Sequence, residues 1–258
     1  MIPIIDTLAH PTLSSTWLKE KLNSSFNDLI VSMEKASFSK ALAVGIWGIE
    51  NYSHKKFIEA CFEFDCLIPI AGLDTQTINI EREIELIKRL GFRGIKIHPR
   101  FSKMHYIHNQ LDKIFEVAGK NNLVVMYCTY SHCSAPNYPE VDPFYALAKT
   151  INKCPDTRLV LVHGGDVSIL KYAELARHNP NILLDLSLTM MKYEGSSIDN
   201  DIKFLFNYFD RKITIGTDFP EYSHQAVRKR FELFSKGIEY EKILNIAYKN
   251  VEDLFYKN

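Results

Sequence analysis

Short apolar runs recur along the chain, each followed by a segment whose apolar positions fall three or four apart. The runs are Ile2–Asp6 (IPIID), Ala41–Trp47 (ALAVGIW), Leu67–Leu73 (LIPIAGL), Gly94–Pro99 (GIKIHP), Leu123–Thr129 (LVVMYCT), Leu159–His163 (LVLVH), Ile182–Ser187 (ILLDLS) and Ile213–Pro220 (ITIGTDFP). Their length and β-branched bias predict strands. Between them, Ile80, Ile84, Ile87 and Leu90 share one helical face, and Gly91 follows as the stop. The same spacing predicts helices over Phe26–Ala36, around Phe57–Cys61, and over Leu111–Gly119, Phe144–Lys153, Ile169–His178 and Ile202–Phe209. Two more close the chain, Gln225–Lys236 and Tyr240–Phe255. Ser14 and Ser15 read as caps of a further helix carrying Trp17, Leu18 and Leu22.

Most of the strands are continuous apolar runs, the mark of a parallel sheet covered on both faces. Eight strand–helix units in 258 residues predict an α/β fold of the (β/α)8 TIM-barrel type, as a single domain over residues 1–258. A doubly wound open sheet is the alternative. It lacks support, because no GxGxxG follows the first strand and no GxxxxGK[ST] occurs. The longest loop, Tyr130–Asp142, follows the fifth strand and reads as a lid or pocket wall.

Composition narrows the function classes. Lys+Arg and Asp+Glu are each 31, so no basic excess points to nucleic acid. No apolar run approaches the ~18 residues of a membrane span. The five cysteines are odd in number and contain no CxxC, against both a disulfide framework and a zinc ribbon. The N-terminus has neither a basic segment nor a long apolar stretch of the signal-peptide kind, which predicts a cytoplasmic protein. The expected partner is a small-molecule substrate, with neither nucleic acid nor membrane. Self-association to a homo-oligomer is left open.

In a barrel the chemistry collects at the carboxyl ends of the strands. Those ends carry Asp6 and His10, His98 and Arg100, Tyr127 and Cys128, His163, Asp185 and Ser187, and Asp218. Imidazoles and carboxylates in one mouth suit a divalent cation such as zinc, or acid–base work without one. Plainer readings stand beside these. His10 could satisfy a loop carbonyl before Pro11, Asp218 could cap a helix, His98 could end its strand, and Tyr127 and Cys128 could be packing residues. Lys96 shares the side-chain direction of His98, an expensive placement without a partner. His54, His105, His108, His132, His178 and His224 are read as surface residues, with His132 able to reach the pocket.

Taken together, IIDTLAH, GFRGIKIHP, LVLVHGG, NILLDLS, ITIGTDFP and the closing ILNIAYKNVEDLF resemble the amidohydrolase superfamily, specifically its amidohydrolase-2 group of TIM-barrel hydrolases and decarboxylases. The resemblance implies a metal site built from an HxH pair, two further histidines and an aspartate. His10, His163 and Asp218 match three of those positions, while Leu8 and Tyr127 stand at the other two. It therefore implies a divalent metal, zinc by preference, held by His10, His163 and Asp218, or no metal at all because two ligands are replaced. Asp218 and His163 are the expected catalytic residues, and His98, Arg100 and Tyr127 the expected substrate contacts. The implied reaction is hydrolysis, or decarboxylation, of a small organic substrate, carboxylic acids included, with Asp218 as proton carrier and His163 and His10 as metal ligands or oxyanion stabilisers. The alternatives are a metal-independent hydrolase similar to lactonases, and a degenerate barrel that only binds.

Overall fold

The computed structural model describes residues 1–18, 22–101, 108–130 and 142–256. Eight parallel strands run in sequence order: β1 (Ile4–Ala9), β2 (Phe38–Val44), β3 (Leu67–Gly72), β4 (Gly94–Ile97), β5 (Val124–Cys128), β6 (Leu159–Val162), β7 (Ile182–Asp185) and β8 (Ile213–Thr214). The segment after β8 returns to the first strand. Thr7 N–H donates to Ile215 O at 3.1 Å, Asp218 N–H to Leu8 O at 2.8 Å and His10 N–H to Phe219 O at 2.8 Å. Ala9 and Phe219 form a parallel bridge. The sheet thus curls into a nearly closed barrel, and the doubly wound alternative is discarded. Gly216 permits the closure, since a Cβ there would lie 2.8 Å from Leu8 N.

Alternation along the strands sorts the core into two layers. Ile5, Leu42, Ile70, Met126, Val160 and Val162 pack together as one cluster, joined by Val251, Leu254 and Phe255 of the last helix, α11 (Asn250–Tyr256). The alternate residues Ile95, Ile97, Val125, Tyr127 and Leu161 pack with the helical layer. The helices are sharply bounded. In α1 (Phe26–Lys35) the Ser25 side chain accepts from Asp28 N–H at 3.1 Å, and in α3 (Ile80–Leu90) Asn79 does the same for Arg82 N–H at 3.1 Å.

Two expectations need correction. The first strand begins and ends later than the apolar run suggests, because Leu8 and His10 continue the ladder with residues 215–219. The helix expected from Ser14 to Leu22 is instead a short antiparallel ribbon, Thr16–Trp17 against Leu22–Asn23. Hydroxyls divert its backbone. Thr12 Oγ1 donates to Thr16 O at 2.8 Å, and Ser14 and Thr16 hydroxyls donate to Glu50 Oε2 at 2.9 and 3.0 Å. Side chains that offer local hydrogen bonds compete with helix formation.

Candidate functional site

The carboxyl end of the barrel gathers His10, His98, Cys128, His163 and Asp218, all buried. His10 Nδ1 donates to Val44 O at 2.8 Å, and its ring stacks on Trp17 with centroids 5.0 Å apart. That contact fixes the tautomer and turns Nε2 toward Asp218 Oδ1, 3.4 Å away. A cavity of about 10 Å³, room for roughly one water, adjoins His10 between Trp17 and Val44. A larger void, about 530 Å³, lies at the amino end of the barrel among Arg158, Lys212 and Asp253. None of the imidazoles described here lines it, so size alone does not locate the chemistry.

His163 ends β6 and Asp218 follows β8, both with left-handed backbones, φ 66° and 54°. Each is held on two sides. His163 N–H donates to Asp185 Oδ2 at 3.4 Å, and its carbonyl accepts from Thr189 Oγ1 at 2.6 Å. Asp218 N–H donates to Leu8 O, and its carbonyl accepts from Glu221 N–H at 2.9 Å. Strained conformations of this kind persist where the surroundings over-determine them. After His163 the chain stays left-handed through Gly164, Gly165 and Asp166, and Gly165 N–H donates to Thr129 Oγ1 at 2.7 Å.

Behind these residues lies a second set that orders them. Asp6 accepts from Leu8 N–H at 3.0 Å, Thr217 N–H at 2.9 Å and Thr217 Oγ1 at 2.5 Å, and its Oδ2 lies 2.9 Å from His224 Nε2. Asp185 accepts from Thr7 Oγ1 at 2.6 Å and from the Ser187 hydroxyl. The first carboxylate joins β1 to the Asp218 segment, and the second joins β1, β6 and β7. His224 is wholly buried, and His54 is also buried, its Nε2 lying 2.7 Å from Glu83 Oε1, so the surface reading of both is corrected. His178 is exposed. His105, His132 and most of the expected Tyr130–Asp142 lid lie outside the described residues, as does the His108 side chain.

Charges set the protonation pattern. Burial works to raise the Asp218 carboxyl, but the charge of His163, the hydrogen bond and charge of His10, and Lys96 bring it down to about 2. Burial disfavours the charged form of His163, yet Asp218 and Cys128 outweigh it, so this imidazole titrates above the ordinary range. The Cys128 thiol lies between the His98 and His163 rings. Burial pushes it up, and the charges and hydrogen bonds of those two rings hold it well below the usual thiol value. His98 is lowered by burial. Its ring stacks on Phe101 with centroids 4.0 Å apart. Asp185 is raised, because burial exceeds the help of Ser187 and Thr7.

Of the expected substrate contacts, His98 lies in the mouth. Arg100 is at the exposed rim, its guanidinium 4.5 Å over the Tyr130 ring. Lys192 Nζ covers the same ring at 4.4 Å and donates to Tyr130 Oη at 2.7 Å. Tyr127 packs with the helical layer, and Cys128 is the β5 residue that meets the imidazoles. Strand alternation carried that signal: of two adjacent strand residues only one can face the barrel.

A catalytic metal takes three protein ligands at about 2 Å in tetrahedral array, and the donor set here departs from that. Leu8 packs as an apolar side chain in the inner cluster, where the first imidazole of an HxH pair would stand. The amine of Lys96 is buried and lacks a hydrogen-bond partner among the described residues. Burial pushes this amine toward its neutral form, and it sits within electrostatic reach of Asp218, one of the three expected ligands. Among the described residues no three His, Cys, Asp or Glu side chains converge as a metal site. The residues present do not fit the group.

No curated protein matches the chain. Solved structures share its architecture. An uncharacterised TIM-barrel protein from Bordetella bronchiseptica superposes with a TM-score of 0.78 at 16% identity, covering 98% of each chain. A probable 2-pyrone-4,6-dicarboxylic acid hydrolase from Acinetobacter baumannii, with citric acid bound, gives 0.73 at 18% identity over 98% of this chain and 99% of that one. The 5-carboxyvanillate decarboxylase of Sphingomonas paucimobilis gives 0.74 at 11% identity over 100% of both. At these identities the likeness is one of fold. The amidohydrolase family model matches residues 71–258, which is most of the chain and includes His98, His163 and Asp218, and on that match the chain belongs to the amidohydrolase family.

Proposed function

We propose that the protein hydrolyses an ester or lactone bond in a small organic acid, without a metal, in a cytoplasmic setting. The observation that carries this reading is the Asp218–His10 pair, 3.4 Å apart, with His163 close enough for its imidazole to be raised by the Asp218 charge against the pull of burial. Asp218 is ionised at every physiological pH and is the first acceptor of the proton from an attacking water. Its low basicity passes that proton to His10 Nε2, the nitrogen that the Val44 contact leaves open. His163, as imidazolium, stabilises the oxyanion that develops on the carbonyl; its collapse breaks the acyl C–O bond, and the proton held on His10 goes to the departing oxygen. His98 is a neutral substrate contact and Arg100 a rim contact. Two solved structures of the same fold, named above, are described as a probable 2-pyrone-4,6-dicarboxylic acid hydrolase and a 5-carboxyvanillate decarboxylase, which supports a carboxylic substrate.

The test is turnover on a panel of lactones and esters of small carboxylic acids. Wild type hydrolyses at least one member, and Asp218→Asn loses on the order of 10²–10⁴ of that rate. A folded wild-type protein inert across the panel, or an Asp218→Asn variant of unchanged rate, sinks the reading. The former outcome favours a barrel that only binds.

A further inference from the structure

Lys96 stands on β4 two residues before His98 and is 1% exposed. Its Nζ has no hydrogen-bond partner and no ion pair within 4.0 Å among the described residues. The groups that act on it electrostatically are Cys128, Asp218, Asp185 and Arg100. Its neighbours Ile95 and Ile97 pack with the helical layer, so alternation turns Lys96 to the inner face of β4, the face of His98. A buried amine without a partner is costly to charge, so burial pushes Lys96 toward its neutral form, and an arriving carboxylate supplies the counter-charge that holds it as an ammonium.

We infer that Lys96 is the seat of a carboxylate group of the substrate. This rests on the reading of the site as one for a small organic acid. The rim supports it: Arg100 and Lys192 each stack on the Tyr130 ring, so the way in from the rim carries two further positive charges. An anion drawn past them meets in Lys96 a single compact cation with three donors, suited to one carboxylate oxygen at close range. Once that oxygen is anchored, the rest of the molecule extends toward Asp218 and His163. The competing role is structural, with the ammonium bridged through solvent to Asp185 and Asp218 as part of the barrel core.

The two roles predict opposite signs. Benzoate is the probe, titrated calorimetrically into wild type, Lys96→Met and Asp218→Asn, with thermal unfolding of each ligand-free protein alongside. Wild type binds benzoate. Lys96→Met binds at least about tenfold more weakly and, relieved of an unpartnered buried amine, melts at or above the wild-type temperature. Asp218→Asn keeps or tightens benzoate binding, because a repelling carboxylate is gone. No benzoate binding to wild type, equal affinity in Lys96→Met, or a Lys96→Met that is destabilised each overturns the assignment. Lys96→Gln serves the same comparison if the methionine variant misfolds. The readout is binding and not turnover, so failure of the hydrolase reading leaves this result standing or falling separately.

Discussion

Burial works against the charged forms of Asp218 and His163 alike, and the charges around them overcome it, moving the carboxyl down and the imidazole up. The sign of the pH dependence follows. His163 is raised above an ordinary histidine value of about 6.5. Its charge, and the stability it contributes, is complete below that value and lost as pH rises through the raised one. Asp218 is depressed to about 2, so its contribution is present above the ordinary carboxylate value and lost as pH falls toward 2. Hydrolysis should therefore fall on the alkaline side, as His163 loses its charge. Initial rates across pH, compared with those of His163→Gln, check this: the variant should be slow and flat where wild type declines. An alkaline limb that survives in the variant would assign it to another group. Parts of this pattern are legible in the sequence, since His10, His163 and Asp218 end strands. Leu8 and Cys128 are harder to read, because which of two neighbours faces inward depends on a register no single strand states. His224 is invisible to such reasoning. A histidine at the start of a helix looks like a surface residue until Asp6 is found 2.9 Å away across the barrel seam.

Among the elements, the left-handed turn from His163 to Asp166 carries the most strain. A Cβ on Gly165 would sit 2.1 Å from the Tyr172 ring, at a φ of 83°. Gly165→Ala should destabilise the fold by about 2–4 kcal/mol, combining backbone strain with overpacking. Because the same turn holds the His163 ring, it should slow turnover even at temperatures where the variant remains folded. Denaturant unfolding paired with rates at low temperature separates the two effects, and a variant of wild-type stability would refute the packing argument. The Thr16–Trp17 ribbon makes a second case. Apolar spacing suggested a helix there, and the hydroxyls of Thr12, Ser14 and Thr16 decide otherwise through contacts with residues far along the chain. Trp17 Nε1 donates to Glu221 Oε1 at 2.5 Å while its ring backs His10. Trp17→Phe should keep the stack and lose about 1 kcal/mol with the hydrogen bond, whereas Trp17→Ala should release His10 and lower the rate as well.

On the scale of the molecule, the barrel is the part most openly written in the chain. Apolar runs and helical faces alternate eight times, and each boundary error is a few residues, since ladder pairing rather than hydropathy ends a strand. The metal question is settled by neither pattern nor spacing. It turns on what sits among the donors, and Leu8 and Lys96 sit there. Exhaustive chelation should leave turnover within about twofold of untreated protein, and metal analysis should find far less than one equivalent. Loss of activity on chelation, restored by zinc, would overturn the metal-free mechanism.

Asp6 meets Thr217 across 211 positions of sequence, and His10 meets Asp218 across the same seam. This has a consequence for how the protein is made. A ribosome releases the first strand long before the last, so the early β/α units can collapse while the reactive groups are still apart. The closing contacts carry the largest loop entropy in the fold and form last. Activity should appear only with the complete barrel, and a chain arrested after β7 would hold most of a core and none of the chemistry.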